Sequence, residues 1–172
     1  MEGDTFENKY VKGEFLGSGM HSNVHKCYLL KDDEKLNPFA AKITSYDDEE
    51  KRLTLIAEFH LGQQLWHTSI PKFHSYFDDE FKGEIYIIMD YVEGRELSDI
   101  MKIEDEDSDF ILDKQSIINY SFQLLNSIEY LHKNSIAHRD IKPSNLIIDK
   151  DDRLHLLDFN VSRDYSKCKM MS

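Results

Sequence analysis

One polar segment constrains the fold of this chain more than any other feature of its sequence. The segment runs from His138 to Asn145 and contains a carboxylate at Asp140, an ammonium group at Lys142 and an amide at Asn145. Each of these residues alone is typical of a polar turn that caps a helix. Together they indicate a loop in which several polar groups converge on one point.

The residues on either side of this segment predict the elements that hold it. From Asp113 to Lys133 the apolar residues keep a helical period, with Asp113 as the N-cap, and this is the longest helix that the sequence predicts. After the segment, two apolar runs, Leu146 to Ile148 and Leu154 to Leu157, are joined by a polar turn and are typical of a hairpin. The polar segment therefore lies between a long helix and a pair of short strands.

The first half of the chain alternates short β-like runs with turn residues. One helix interrupts this pattern from about Asp48 to Trp66, and Pro71 prevents its continuation. The strands are predicted as antiparallel neighbours that complete a first lobe near Tyr91: Tyr10 to Leu16, Asn23 to Leu30, Phe39 to Ile43, Lys72 to Phe77 and Ile85 to Tyr91.

The polar segment resembles the catalytic loop of protein kinases, whose pattern is HRDxKxxN. Asp158 and Phe159 stand thirteen positions after Asn145, where that family begins its DFG motif. The resemblance implies an α+β, protein-kinase-like fold. Its parts would be a five-stranded antiparallel N-lobe with one helix and the start of a mainly helical, incomplete C-lobe.

A glycine-containing turn resembles the phosphate-covering loop of the same family. Gly17, Ser18 and Gly19 begin a stretch similar to GxGxxGxV, in which glycines let backbone N–H groups approach phosphate oxygens. Ser22 replaces the third glycine but leaves a small residue there.

The predicted third strand carries a second nucleotide-binding motif. Ala40, Ala41 and Lys42 resemble the VAIK element, which makes Lys42 the expected cation for the α- and β-phosphates. Its partner is expected on the following helix. Glu58 is the candidate because it precedes His67 by nine positions, as in the family.

The run from Ile85 to Gly94 resembles the last strand of the N-lobe and the hinge that follows it. The resemblance implies that the Asp90 carbonyl and the Val92 N–H pair with adenine and that Glu96 reaches the ribose. Val24, Ala40 and Ile147 are expected to sandwich the base between apolar faces. Met89 is expected to guard the pocket behind it, and Leu16 to be a further nucleotide-binding residue.

By resemblance, the reaction is phosphoryl transfer from ATP to a hydroxyl of a protein substrate. Asn145 and Asp158 are expected to hold Mg²⁺, Lys142 to meet the γ-phosphate and Asp140 to accept the hydroxyl proton. Lys142, two positions after Asp140, resembles the Ser/Thr class. The expected catalytic residues are thus Lys42, Glu58, Asp140 and Lys142, with ATP and Mg²⁺ as cofactors.

Besides Ser22, two positions depart from the family pattern. Gly62 stands four residues after Glu58, where the family packs a large apolar side chain, and Leu61 or Leu65 is expected to fill the space. Asn160 replaces the glycine of DFG. Because asparagine tolerates positive φ, the turn is expected to be preserved.

The domain expected from the resemblance is a partial protein kinase domain over residues 1–172. Its N-lobe would span 10–91, and the hinge with the beginning of the C-lobe would span 92–172. On this interpretation the sequence stops inside the activation segment and covers about two thirds of a kinase domain.

Charge and cysteine content argue against several other classes of protein. Acidic residues exceed basic ones by 33 to 21, and the net charge of -12 argues against binding to nucleic acid or to anionic membranes. Cys27 and Cys168 form no CxxC pair, which argues against a disulfide framework or a zinc site. Without a membrane-spanning apolar run, the expected location is intracellular, in the cytoplasm. The acidic run Lys102 to Asp109 is expected to be a solvated loop, a docking surface being the alternative.

Two other hypotheses about function remain open from the sequence. The sequence also makes no prediction of the oligomeric state. The chain could be a non-catalytic nucleotide-binding or scaffolding module, or a plain acidic interaction domain. The intact set of Lys42, Asp140, Asn145 and Asp158 favours a catalytic ancestry, because a scaffold has no physical need for all four.

Overall fold

The computed structural model describes residues 5–19, 22–31, 37–102 and 112–166. The chain forms two compact units. The first comprises Met1–Gln64 and Lys72–Tyr91, and the second comprises Leu65–Pro71 and Val92–Ser172. Apart from Lys102, the acidic run that was predicted to be a solvated loop lies outside the described residues.

The first unit is built on a five-stranded antiparallel sheet, as predicted. Its spatial order is β1-β2-β3-β5-β4, because the chain passes from β3 to an edge strand and then returns to pair with β3. The strands are β1 (Tyr10–Ser18), β2 (Ser22–Leu29), β3 (Phe39–Ser45), β4 (Phe73–Asp79) and β5 (Glu84–Asp90).

Alternation along β3 separates the two faces of this sheet. Ala41 belongs to a buried cluster of aromatic and aliphatic side chains on one face, whereas Ala40 and Lys42 lie on the other. Phe6, which precedes β1, closes the cluster by stacking on Tyr86 with ring centroids 4.9 Å apart. One face of the sheet is therefore occupied by an aromatic core and the other carries Lys42.

Helix α1 (Glu49–Gln63) follows β3 and packs against β4 and β5. It begins at the predicted residue, since the N-cap Asp48 accepts a hydrogen bond from the Lys51 N–H at 2.7 Å. Its buried residues follow the spacing of a single helix face: Leu55, Glu58, Phe59 and Gly62.

The second unit begins with β6 (Gly94–Glu96), α2 (Leu97–Ile100) and the long α3 (Lys114–Lys133). The predicted N-cap of α3 is confirmed, because the Asp113 side chain accepts a hydrogen bond from the Ser116 N–H at 2.7 Å. Within the described ranges, no helix combines the length and the apolarity that a membrane span requires.

The polar segment lies between α3 and a hairpin, as the sequence predicted. Strands β8 (Leu146–Asp149) and β9 (Leu154–Leu156) pair antiparallel, and β6 pairs with β8 to complete a three-stranded sheet. The remaining elements are β7 (Ile136–Ala137), a 3-10 turn (Pro143–Asn145) and β10 (Arg163–Asp164), which pairs with β7.

The helix predicted to reach Trp66 is too long at its C-terminal end. It stops at Gln63, and Leu65, which seemed to continue its apolar pattern, is buried in the irregular segment that follows. Burial of an apolar residue in a turn imitates one more helical position, which explains the error.

Candidate active site

The first unit joins the lysine of β3 to a carboxylate of α1. Lys42 Nζ lies 2.7 Å from Glu58 Oε1, and the two side chains are only 8% and 3% exposed. Removal from water strengthens the attraction between two ions and makes either one costly without its partner. The pair therefore fixes the direction of the Lys42 ammonium group.

A tight hairpin holds the residues expected to cover phosphate. Gly17 is in register with Val24, and the Gly19 N–H donates to the Ser22 carbonyl at 2.7 Å. A Cβ added at Gly17 would meet no atom of the described residues within 4 Å, which leaves room for a ligand beside this backbone. Ser18 is exposed between the two glycines, and the other loop residues, Met20 and His21, lie outside the described part.

Apolar residues expected around the base share the Lys42 face of the sheet. The register sets Val24 opposite Lys42 and Ala40 opposite Met89. Residues directly across a ladder lie on one face, as do residues two apart along β3. Ala40 is buried, Val24 and Met89 are half-buried, and Leu16 on β1 is 38% exposed. An apolar surface thus adjoins the lysine.

Asp90 is the last residue of β5, and contacts of its side chain fix its position. The carboxylate accepts a hydrogen bond from the Lys72 N–H at 3.0 Å and lies 2.7 Å from His74 Nε2. The Asp90 N–H donates to the Lys72 carbonyl at 2.9 Å. These bonds attach the end of β5 to the segment around β4.

The β6–β8 ladder of the second unit places Glu96 opposite Ile147. Glu96 is exposed and Ile147 is half-buried, while Val92 lies just before β6 and is also half-buried. A Cβ at Gly94 would lie 2.3 Å from the Ile148 carbonyl oxygen, so glycine is needed for this close approach. The residues expected at the ribose and at the base therefore stand side by side on this ladder.

The catalytic-loop residues converge on Asp140. Lys142 Nζ lies 2.8 Å from Asp140 Oδ2, and Asn145 Nδ2 donates to the same oxygen at 2.9 Å and to the Asp140 carbonyl at 2.8 Å. The hydrogen bond from Lys142 is the main cause that lowers the pKa of Asp140, and the bond from Asn145 acts in the same direction. The Asp140 side chain is 30% exposed, so an ionised carboxylate faces solvent at this point.

His138 connects this cluster to the segment after β9. Its Nε2 lies 2.9 Å from the Leu157 carbonyl oxygen, and its Nδ1 accepts the Asp140 N–H at 3.3 Å. The ring packs edge-on against Phe159 at 4.8 Å, and its burial lowers the pKa of His138. A neutral imidazole with a proton on Nε2 satisfies both hydrogen bonds.

Asn145 and Asp158 supply oxygen atoms suited to a cation. The Leu157 N–H donates to the Asn145 carbonyl at 2.8 Å, which brings the neighbouring Asp158 close to Asn145. Because Asn145 Nδ2 is engaged with Asp140, Asn145 Oδ1 is the atom that can ligate. Over the described ranges no group of three or more His, Cys, Asp or Glu is arranged to hold a metal. The donor set therefore fits Mg²⁺ bound jointly with phosphate oxygens, since Mg²⁺ takes few protein ligands.

The backbone of the DFG-like turn corrects one expectation. Asp158 has a φ of +62°, whereas Asn160 is not among the described residues with positive φ. Asparagine was expected to preserve the turn because it tolerates positive φ, and that reason is wrong. The left-handed residue of this turn is Asp158, so position 160 does not require a glycine on conformational grounds.

The space beside Gly62 is filled by Phe73, which was not one of the two residues expected to fill it. A Cβ at Gly62 would lie 2.7 Å from three ring atoms of Phe73, so the ring lies against the bare helix backbone. Leu61, one of the two expected fillers, is half-buried. The ring of Phe73 therefore replaces the large side chain that position 62 lacks.

The sequence also did not predict the ion pair that Arg52, near the start of α1, forms with Asp78 on β4. Arg52 Nε lies 2.6 Å from Asp78 Oδ2, and the Tyr46 hydroxyl donates to Asp78 Oδ1 at 2.9 Å. Only the contact between Arg52 and Glu49, three residues apart on α1, could be found from sequence spacing. The pairing with Asp78 on β4 requires knowledge of the fold.

Comparison with known proteins agrees with this arrangement of residues. The sequence model described as "Protein kinase domain" matches residues 10–172. The chain is 32% identical over 158 residues to the dual specificity protein kinase zakA of Dictyostelium discoideum, covering 89% of this chain and 19% of that protein. It is 33% identical over 157 residues to the probable serine/threonine-protein kinase PLK of the same organism, covering 90% and 15%. It is 30% identical over 161 residues to serine/threonine-protein kinase PLK2 of Mus musculus, covering 92% and 22%. The chain thus spans about a fifth of the length of these relatives.

Proposed function

This chain belongs to the protein kinase family, and from that premise we propose that it transfers the γ-phosphoryl group of Mg-ATP to Ser or Thr hydroxyls of proteins. The observation that carries the proposal is the convergence of Lys142 and Asn145 on the exposed carboxylate of Asp140. A surface module would not require an ionised carboxylate held by a cation and an amide in a loop between rigid elements. We place the reaction in the cytoplasm and take residues 1–172 as part of one kinase domain.

Asp140 is proposed to orient the substrate hydroxyl and to receive its proton. The oxygen of that hydroxyl forms a bond to the γ-phosphorus as the bond between the γ-phosphorus and the β–γ bridging oxygen breaks, and ADP leaves. The carboxylate is ionised because Lys142 lowers the pKa of Asp140. Lys142 is half-exposed and is proposed to turn toward the γ-phosphate, where it meets the charge that spreads during transfer.

Lys42 is proposed to bind the α- and β-phosphate oxygens. Its buried ammonium group is held by Glu58 at 2.7 Å, so it is oriented before a nucleotide arrives. Preorganised charge costs no rearrangement during the reaction, which is the main way in which a protein favours this transition state. Gly17, Ser18 and Gly19 are proposed to approach the phosphates with backbone N–H groups.

Asn145 and Asp158 are proposed to hold Mg²⁺. Held by these two residues, Mg²⁺ would supply positive charge against the negative charge of the phosphate oxygens. The amide of Asn145 is held in one orientation by its two bonds to Asp140, and the Leu157–Asn145 bond keeps the Asp158 backbone beside it. This chain thus orients two oxygen ligands that can be shared with a phosphate.

The adenosine part of ATP is proposed to lie against apolar side chains. The Asp90 carbonyl and the Val92 N–H would pair with the edge of adenine, and Glu96 would bind the ribose. Support comes from the two ladder registers, which align Ala40 with Met89 and Glu96 with Ile147. The proposed apolar contacts are Leu16, Val24, Ala40, Met89 and Ile147.

Transfer of radiolabelled phosphate from ATP to a Ser- and Thr-containing protein tests this proposal. The Asp140→Asn variant should lose about 100-fold or more of the rate, because the proton acceptor is removed. Asp151→Asn changes an exposed aspartate in the β8–β9 turn and should transfer phosphate like the unmodified chain. Equal background incorporation in all three proteins would contradict the proposal. If Mg-ATP then still raised the unfolding temperature, the non-catalytic nucleotide-binding function would be favoured.

The hydroxyl specificity is tested in the same assay by the identity of the phosphorylated residue. The name of zakA describes a dual specificity protein kinase, whereas the names of PLK and PLK2 describe serine/threonine-protein kinases. We propose the narrower Ser/Thr specificity because Lys142 stands two positions after Asp140, which resembles the Ser/Thr class. Phosphotyrosine in the product at a level similar to phosphoserine and phosphothreonine would contradict this assignment.

A further inference from the structure

A lysine on β2 lies over the aromatic ring of the residue that follows β5. Lys26 Nζ is 4.7 Å from the centre of the Tyr91 ring and 3.0 Å from Glu14 Oε2. A cation over the face of an aromatic ring is attracted by the negative charge of that face. All three residues belong to the first unit, and the Lys26 side chain is only 20% exposed. Lys26 thus connects β1 and β2 with the chain just after β5.

This contact contributes more to the position of Tyr91 than to the stability of the fold. The hydrogen bond to Glu14 is the main cause that raises the pKa of Lys26, and Tyr91 acts in the same direction, so the lysine stays charged. The Glu14 side chain is 67% exposed, and an ion pair with one such partner adds little to the free energy of unfolding. The charge of Lys26 is nevertheless held in one place, where it attracts the Tyr91 ring.

The strand registers place Lys26 on the face of the sheet that carries Lys42. Lys26 is directly opposite Ala40 on β3, and Ala40 is directly opposite Met89 on β5. Residues directly across a ladder lie on one face of a sheet. Because the Tyr91 ring lies under Lys26, it adjoins this row. The contact therefore lies beside side chains that are proposed to contact adenine.

Tyr91 stands between the two backbone groups that are proposed to pair with adenine. The Asp90 carbonyl belongs to the planar peptide group on the N-terminal side of the Tyr91 Cα, and the Val92 N–H belongs to the planar group on its C-terminal side. The two planes meet at this Cα, so their relative orientation depends on φ and ψ of Tyr91 alone. A contact that holds the Tyr91 side chain therefore limits the rotation of both groups.

Asp90, the residue before Tyr91, is attached to the other side of β5. Its carboxylate accepts the Lys72 N–H at 3.0 Å and lies 2.7 Å from His74 Nε2 on β4. In the sheet order β4 is one neighbour of β5, whereas β3 and then β2 lie on the opposite side. The chain at the end of β5 is thus attached from β4 through Asp90 and from β2 through Tyr91.

We propose that Lys26 and Tyr91 are positioning residues for adenine, with Glu14 holding the Lys26 ammonium group. Their contact keeps the Asp90 carbonyl and the Val92 N–H at the orientation that the edge of an adenine ring needs. The assignment rests on the proposed function, because it takes ATP as the ligand of these two groups.

A comparison of two nucleotides tests the role at adenine. Purine riboside triphosphate lacks the amino group that ATP can donate to the Asp90 carbonyl, so calorimetric titration with each in the presence of Mg²⁺ measures the preference for that group. Lys26→Met keeps most of the stem and removes the charge, and it should lower the preference for ATP about fivefold. Lys26→Arg retains a cation and should restore the preference. Lys12→Met, at an exposed lysine of β1, is the matched control and should leave the preference unchanged.

Substitution of the ring shows whether the two residues act together. Tyr91→Leu should lower the preference for ATP by a factor similar to that of Lys26→Met, whereas Tyr91→Phe keeps the ring and should retain most of the preference. The double variant Lys26→Met/Tyr91→Leu should lose no more than either single variant, because both substitutions remove the same contact.

A readout without nucleotide separates this proposal from the proposed function. Amide order parameters from NMR relaxation report fast motion of the backbone at Tyr91 and Val92 in the free chain. These order parameters should fall in Lys26→Met and return in Lys26→Arg. A chain that binds neither nucleotide would contradict the proposed function and with it the role at adenine, while the order parameters would still decide whether Lys26 holds this segment.

Three results would overturn the assignment. If Lys26→Met weakened both nucleotides by the same factor, Lys26 would act as a surface charge that attracts the triphosphate and not through the adenine edge. Losses that add in the double variant would mean that Lys26 and Tyr91 act independently. Unchanged order parameters in both Lys26→Met and Tyr91→Leu would mean that the contact does not hold the backbone.

Discussion

The hydrogen bonds of the catalytic loop depend on the protonation state of single residues, and His138 is the clearest case. It is buried, its Nε2 lies 2.9 Å from the Leu157 carbonyl oxygen, and its Nδ1 accepts the Asp140 N–H. Protonation would place a second N–H opposite the backbone N–H of Asp140, so the acceptor in that bond would be lost. Burial also lowers the pKa of His138, since a charged imidazole is poorly solvated there.

Stability should therefore fall in mildly acidic solution. Below the ordinary histidine pKa of about 6.5 the unfolded chain takes up a proton at this position and the folded chain does not, so the free energy of unfolding decreases as pH falls. Each such proton contributes at most about 1.4 kcal/mol per pH unit. Urea unfolding between about pH 7 and about pH 5 measures the slope of the free energy of unfolding against pH. This pH window lies above the range in which Asp140 and other carboxylates with lowered pKa are protonated.

The contribution of His138 is isolated by substitution. His67 acts in the same direction, because burial lowers the pKa of His67 as well, so the unmodified chain should show both contributions. His138→Gln should reduce the slope, because it removes the buried imidazole. An identical slope in the unmodified chain and in His138→Gln would contradict this account.

The spacing of motifs predicted which side chains form a pair better than it predicted the packing around that pair. The count of nine positions from His67 identified Glu58, and Glu58 lies 2.7 Å from Lys42. The role of this pair in catalysis remains a prediction. That the ring of Phe73 fills the space beside Gly62 was not predicted, because it depends on how closely a helix and a strand approach.

Among the elements, the seam between β6 and β8 depends on one glycine. A Cβ at Gly94 would lie 2.3 Å from a backbone oxygen of Ile148 and 2.6 Å from Cγ2 of Ile147. Gly94→Ala should destabilise the chain by about 1–3 kcal/mol, since the backbone of β8 cannot move aside easily. Gly17→Ala, where the added atom meets no described neighbour, should cost far less in urea unfolding. Equal midpoints for the two variants would contradict the close approach of the strands.

The N-cap of the long helix α3 makes a contribution to stability that can be measured by substitution of one residue. Asp113 accepts the Ser116 N–H at 2.7 Å, and this backbone bond is the main cause that lowers the pKa of Asp113. Asp113→Ala should lower the free energy of unfolding by about 1 kcal/mol. Asp113→Asn retains an oxygen that can accept the same bond and should recover most of the loss. If the two substitutions cost the same amount, the hydrogen bond would not be the source of the stabilisation.

Element length decides what the sequence could predict. α3 keeps its period over twenty residues, and β1 to β5 are bounded by turn residues, so these elements were predicted with small errors at their ends. β7 and β10 have two residues each and exist only because they pair with one another across the chain. No local pattern indicates such a pair. The same applies to β6, whose partner β8 lies about fifty residues later.

At the scale of the whole molecule, one face of α3 is apolar and exposed. Ile118, Phe122 and Leu125 lie at helical spacing and are 52%, 64% and 63% exposed among the described residues. An apolar surface of this kind promotes binding of hydrophobic dyes and association in solution. The 172-residue chain should therefore increase the fluorescence of such a dye, and Phe122→Lys should reduce the increase.

Phe81 provides the comparison for this prediction. It is fully exposed in the turn between β4 and β5, away from α3 in the chain, and Phe81→Lys should change dye binding little. A monodisperse chain that binds no dye would contradict the exposure of the α3 face.

The central claim is that the proposed binding of one nucleotide triphosphate depends on both Lys42 and Asp158. Calorimetric titration of the chain with ATP in the presence of Mg²⁺ tests it most directly, with Lys42→Met, Asp158→Asn and the exposed-site control Lys12→Met measured alongside. The account predicts one saturable site, about tenfold or more weaker in the first two variants because each loses a charged contact to phosphate or metal, and unchanged in the control. Absence of saturable binding, or equal affinity in all four proteins, would contradict it.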